Sequence, residues 1–71
     1  MGQKIQAETY LGHEVEVTAR EVRRGVWSWT YLIDDRFFGV CRAGSEAPDA
    51  DAALRRGLLA ARVRADGFGA K

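Results

Sequence analysis

The sequence predicts an α+β domain: an antiparallel meander of three or four strands with one C-terminal helix packed on one face. Three observations carry this. Apolar and polar residues alternate with a period of two through the first half of the chain, as half-buried strands require. Short polar or glycine-bearing breaks separate these runs, and tight breaks join antiparallel rather than parallel neighbours. After the only proline, Pro48, the period changes to that of a helix.

The first strand is expected over about residues 4–10, where Ile5 and Ala7 alternate with Gln6 and Glu8. Leu11-Gly12-His13 reads as a turn, with Gly12 available for positive φ. The second strand is expected over about residues 14–22. Val15, Val17 and Ala19 share one face; Glu14, Glu16, Thr18 and Arg20 share the other, which makes one side buried and one wet. Val22 falls out of phase, so a bulge or the strand end is expected near Glu21. Arg23-Arg24-Gly25 is the next turn. Trp27, Trp29, Tyr31 and Ile33 point one way along the third strand, residues 26–33, and aromatic and β-branched residues favour a pleated, half-buried surface. That stripe reads as core facing the helix; the alternative is an outward stacking platform for bases, sugars or a peptide. Asp34-Asp35-Arg36 is a polar hairpin loop, and a short fourth strand covers about residues 37–42.

Asp49 is a good N-cap and Asp51 places negative charge in the first helical turn. The helix is expected over about residues 50–65, stopping before Gly67. Leu54, Leu58, Ala61 and Ala65 form the stripe expected to meet the sheet. Gly57 costs about 1 kcal/mol relative to alanine in mid-helix, tolerable if the sheet approaches closely there. The expected core is Ile5, Val15, Val17, Trp27, Trp29, Tyr31, Ile33, Phe38, Val40, Leu54, Leu58 and Ala61. The chain is expected to be a single domain over residues 1–71, its ordered part about 4–66, with 67–71 a mobile tail.

A second apolar helix stripe, Ala52, Leu59 and Val63, lies roughly opposite the first. One helix on one sheet face cannot bury both, so Leu59 and Val63 are either simply exposed, as single apolar residues often are, or, with Ala52, the candidate surface for a homodimer or a protein partner. This motivates the leading functional expectation, a non-enzymatic interaction module. With 71 residues the chain buries only about 60% of its unfolded surface, and a partner would add to that.

Other function classes find less support. Eleven Lys and Arg against ten Asp and Glu leave a net charge of +1, which argues against a strong polyanion binder. Arginine nevertheless outnumbers lysine nine to two, and Arg20, Arg23, Arg24 and Arg36 are the candidate nucleic-acid contacts of an alternative reading. One cysteine and one histidine exclude an internal disulfide and an ordinary zinc site. Cys41 and His13 are the only nucleophile–base pair, and nothing in the sequence brings them together. Asp34-Asp35 reads as turn chemistry and Asp49/Asp51 as helix capping. Neither a G-x-x-x-x-G-K-[ST] loop nor a G-x-G-x-x-G fingerprint occurs. No enzyme activity, cofactor or metal is therefore expected. No apolar run approaches the roughly 20 residues that cross a bilayer, and residues 1–6 carry no apolar signal core. The lone cysteine suits a reducing, cytoplasmic setting.

The strand–strand–strand–helix order, with Trp27-Ser28-Trp29 in the third strand and an alanine-rich helix after Pro48-Asp49, resembles small bacterial proteins grouped as domains of unknown function. The resemblance spans about residues 8–66 and implies a fold without an activity. Arg23-Arg24-Gly25-Val26-Trp27 is more loosely similar to the plant GCC-box-binding domain and the arm-binding domains of phage integrases. That similarity implies DNA reading through exposed sheet side chains.

Overall fold

The computed structural model describes residues 2–70. Four strands, β1 (Gln3–Tyr10), β2 (His13–Arg23), β3 (Val26–Ile33) and β4 (Phe37–Val40), precede one helix, α1 (Ala50–Phe68). The sheet is an antiparallel meander in the order β1-β2-β3-β4. The helix lies over β2 and β3 and touches β1 at its edge, so one sheet face is covered and the other open. The expected α+β architecture is what the chain adopts.

The turns explain the hairpins. Leu11 and Gly12 both have positive φ (52° and 81°), as do Asp34 and Asp35 (54° and 56°). Paired left-handed residues make the type I′ geometry whose twist matches that of antiparallel strands. Arg36 N–H closes the second turn on the Ile33 carbonyl at 3.0 Å. In β2 the register shifts between Glu21 and Arg23. The bulge expected near Glu21 is there, and it leaves Val22 exposed.

Val15, Val17, Ala19, Trp29, Tyr31 and Ile33 form the sheet side of the core. The aromatic stripe therefore faces the helix at Trp29 and Tyr31. Trp27 is only half-buried, because at that level the neighbour of β3 is a single bridge to Ala47 rather than a strand. Leu54, Gly57, Leu58, Ala61 and Ala65 bury their helix face as the periodicity indicates. Gly57 permits the contact: a Cβ there would lie 2.5 Å from Val17 Cγ1, far inside van der Waals distance.

Three expected core residues are exposed. Ile5 (55%), Phe38 (60%) and Val40 (56%) stand on the open sheet face. Register is the reason. Ile5 pairs Thr18, Thr18 pairs Thr30, and Thr30 pairs Val40; cross-strand partners share a face, and Thr18 lies opposite to Val17. On β1 the helix-side set is Lys4, Gln6, Glu8 and Tyr10, of which three reach α1 as polar contacts: Lys4 Nζ to Asp51 at 2.9 Å, Arg62 to both Glu8 oxygens at 2.7 and 2.8 Å, and Tyr10 Oη to Asp66 at 2.7 Å. On β4 the helix-facing positions are Phe37, which packs on the core, and Gly39. A Cβ at Gly39 would sit 2.1 Å from Tyr31 Cζ, so the tyrosine ring fills the space.

Asp49 caps α1 as expected, its side chain accepting from Ala52 N–H at 2.8 Å. The helix runs to Phe68, three residues beyond its expected end at Ala65. Tertiary contact holds the extra turn. The Phe68 ring lies 4.4 Å from that of Phe37 and 5.8 Å, edge-on, from that of His13.

Candidate interaction surface

Between β4 and the exposed side of α1 lies a groove of about 690 Å³. Its floor is aromatic and aliphatic: Trp29, Ala60 and Tyr31, whose ring lies over Gly39. Leu59 and Val63, each 64% exposed, form the helix wall. Arg42, Arg56 and Arg64 line it as well, and no carboxylate does. The indole N–H of Trp29 is buried without a hydrogen-bond partner.

The groove exists because β4 is short and α1 is long. β4 ends at Val40, whereas the helix extends along the whole sheet. Its axis follows the strands: Lys4 meets Asp51 and Tyr10 meets Asp66. Six strand residues and fifteen helix residues both advance about 20 Å. The side of α1 turned toward β4 therefore has no strand packed beneath it along much of its length, and the groove lies between the two.

Two of the three arginines are partly committed. Arg64 Nη1 donates to the Phe38 carbonyl at 3.2 Å and to Tyr31 Oη at 3.4 Å. Arg56 Nη1 donates to the Ser45 and Glu46 carbonyls. Both use a single nitrogen, which leaves further N–H donors of each guanidinium uncommitted. Arg42 is exposed, and its side chain makes no hydrogen bond or ion pair among the described residues; only its carbonyl is engaged, accepting from Ser45 N–H and the Cys41 thiol.

Of the expected partner stripe, Leu59 and Val63 stand exposed together and Ala52 does not. Ala52 is 7% exposed and belongs to the core. Helical periodicity does align the three, but the connection from β4 returns along this side of the helix N-terminus, as the bonds from Arg56 to Ser45 and Glu46 show. It covers the first turn, and Ala47 is buried with it.

The four arginines singled out for nucleic acid do not form one cluster. Arg20, Arg23 and Arg24 lie at the β2–β3 turn, and Arg36 follows the β3–β4 turn at the opposite end of the sheet. Arg20 shares the open face with Glu14 and Glu16 on the same strand, and those carboxylates repel phosphate.

His13, expected in a turn, opens β2 and is buried beside Asp34. Nδ1 lies 2.7 Å from Asp34 Oδ2 and Nε2 lies 2.8 Å from the Gly69 carbonyl. The other Asp34 oxygen accepts Glu14 N–H at 2.9 Å. The pair has 8% and 11% side-chain exposure. A carbonyl can only accept, so Nε2 carries a proton, and one more proton lies between Nδ1 and Asp34. Both ring nitrogens are thereby occupied in tying the helix C-terminus to the two hairpin turns, and neither is available to a nucleophile. Cys41 sits at the other end of β4, its N–H on the Trp29 carbonyl, so the only cysteine and histidine are far apart. No three His, Cys, Asp or Glu side chains converge as metal ligands among the described residues, nor is any helix there long and apolar enough to cross a membrane.

Electrostatics tie β1 to the helix. The Arg62 guanidinium, hydrogen-bonded to Glu8, holds that carboxyl below its usual range. The Asp66 hydrogen bond pushes the Tyr10 hydroxyl up. Lys4 holds Asp51 down.

No protein-family model matches the chain, and neither the curated proteins nor the solved structures contain a match to it. Function is therefore read from this geometry alone.

Proposed function

We propose that the protein is a non-enzymatic protein-interaction module whose binding face is the groove between β4 and α1. One observation carries the reading: Leu59 and Val63 project side by side over an apolar, arginine-lined groove beside an open sheet edge. Isolated exposed apolar residues are normal, but a concave group of them with polar groups at its margin is the usual form of a binding site. The engagement of both His13 ring nitrogens supports a structural rather than catalytic role for the one buried dyad. The nucleic-acid alternative is supported by Arg20, Arg23 and Arg24 alone.

Site-specific photocrosslinking in cells tests this. Benzoylphenylalanine in place of Leu59 is expected to give a discrete protein adduct, and the same group in place of Arg23 is not. Val63→Asp should abolish the adduct without altering the thermal melt, because Val63 is exposed. Equal labelling at both positions, or none at position 59, removes the reading. Salt-reversible labelling of nucleic acid from position 23 would put the alternative in its place.

A further inference from the structure

We infer that the groove takes an extended acidic segment of another protein, paired as an added strand on β4, with the pattern acid–x–apolar–x–acid on its helix-facing side. This rests on the interaction-module reading and specifies the partner.

The backbone supplies the first reason. Cys41 N–H bonds to the Trp29 carbonyl, which makes 29/41, 31/39 and 33/37 the hydrogen-bonded pairs of the β3–β4 ladder. In an antiparallel ladder the intervening residues turn their N–H and C=O groups outward. Phe38 and Val40 thus present theirs to the open edge. The bond from Arg64 confirms this orientation for the Phe38 carbonyl. The N–H of Phe38 and both groups of Val40 remain for an incoming strand, the mode of recognition in which main-chain bonds give affinity and alternate side chains give specificity.

Charge and spacing supply the second. A strand beside β4 would run parallel to the axis of α1, within reach of the arginines on its groove side, as the bond from Arg64 to the Phe38 carbonyl shows. Arg56 and Arg64 are eight residues apart on that side, about 12 Å along the helix. Residues i and i+4 of a strand lie on one face about 13 Å apart. Carboxylates at these two positions meet the two guanidiniums. The residue between them, i+2, points at Leu59, Ala60, Val63 and the Tyr31 ring that lies over Gly39. Arg42 stands past the end of β4 for a further acidic residue.

A second copy of this chain does not supply such a segment. The ten acidic residues are 8, 14, 16, 21, 34, 35, 46, 49, 51 and 66, and no two of them are four apart. Two copies would also bring six groove arginines together. The occupant is a different protein.

The test is an amide-resolved NMR titration of the full chain with acetyl-Thr-Asp-Thr-Leu-Thr-Glu-Thr-amide. Two controls accompany it: a peptide of the same composition with its acids adjacent, and one with lysine at both acid positions. Shifts are expected over residues 38–42 and 56–64, with slowed hydrogen exchange at the Val40 amide. The lysine peptide should not bind, and the adjacent-acid peptide should bind several-fold more weakly. A peptide lengthened by one acid at the end that reaches Arg42 should bind up to about fivefold more tightly, the range of an exposed ion pair, and Arg42→Gln, which removes no side-chain contact within the fold, should abolish that gain. No shifts at millimolar peptide, equal binding of either control, or shifts confined to residues 20–26 would overturn the inference. The crosslink at position 59 separates the two failures. An adduct of twice the chain mass, or one to a neutral partner, leaves the interaction module standing and removes the acidic strand. No adduct and no peptide binding remove both.

Discussion

Replacing Gly57 by alanine sets helix propensity against packing, and the structure decides the sign. Propensity alone favours the change by about 1 kcal/mol. Packing opposes it. The new methyl would lie 2.5 Å from Val17 Cγ1, with Trp29 Cβ at 3.4 Å and Trp29 Cε3 at 3.5 Å. Carbon atoms rest at about 3.5–4.0 Å, so helix and sheet must separate by roughly 1 Å at their closest point. Val17 cannot easily turn aside, because a β-branched side chain is stiff about χ1 and this one is fully buried. Overpacking of this kind costs about 1–3 kcal/mol. The expected net effect is a loss of about 1 kcal/mol, or some 4–8 °C in Tm for a chain of this size. Urea unfolding followed by tryptophan fluorescence reads it directly, since Trp29 lies against the site, and the denaturant slope should be unchanged. A double-mutant cycle isolates the cause. Val17→Ala by itself costs about 2 kcal/mol for two buried methyl groups. In that background the nearest obstacle is gone, and Gly57→Ala should become neutral or stabilising by up to about 1 kcal/mol. The two substitutions are then coupled by about 1–3 kcal/mol. If Gly57→Ala stabilises the original protein by the full propensity gain, the close approach of α1 to β2 is wrong.

Three further outcomes are expected. His13→Ala strands the buried Asp34 carboxylate and should cost about 3 kcal/mol in urea unfolding, with faster amide exchange at Gly69 before global unfolding; unchanged exchange there would refute the tie to the helix end. Leu11→Asn places a residue that tolerates positive φ at the first position of its I′ turn and should raise stability by up to about 1 kcal/mol; a loss would refute the turn geometry. Glu8 has its folded pKa lowered by Arg62 from an ordinary 4.5, so its contribution is complete above that value and is lost as pH falls through the folded value. Glu8→Gln should therefore flatten the acid limb of the stability profile below about pH 4.5 and leave the pH dependence above it unchanged, by thermal melts across a pH series.

Much of this fold is legible locally. Alternation in β2 and β3, the bulge at Val22, the cap at Asp49 and the face Leu54–Leu58–Ala61–Ala65 depend on backbone geometry and residue type within a few positions, so the sequence by itself determines them. The exposed pair Leu59 and Val63 is legible for the same reason. Other features required neighbours distant in the chain. Alternation shows that Ile5, Phe38 and Val40 share a face with something, but only register decides which face, and here it is the open one. His13 reads as a turn residue until Asp34 and Gly69 arrive beside it from the other hairpin and the helix end. Periodicity puts Ala52 with Leu59; the returning loop buries it. The arginines gave no signal as a group, since Arg42 lies after a strand and Arg56 and Arg64 on different helix turns. They face one groove because α1 runs parallel to the strands and outreaches β4. Local steric preference and hydrophobic period thus set the elements, while register, loop path and relative length, which depend on contacts between distant segments, set the surface.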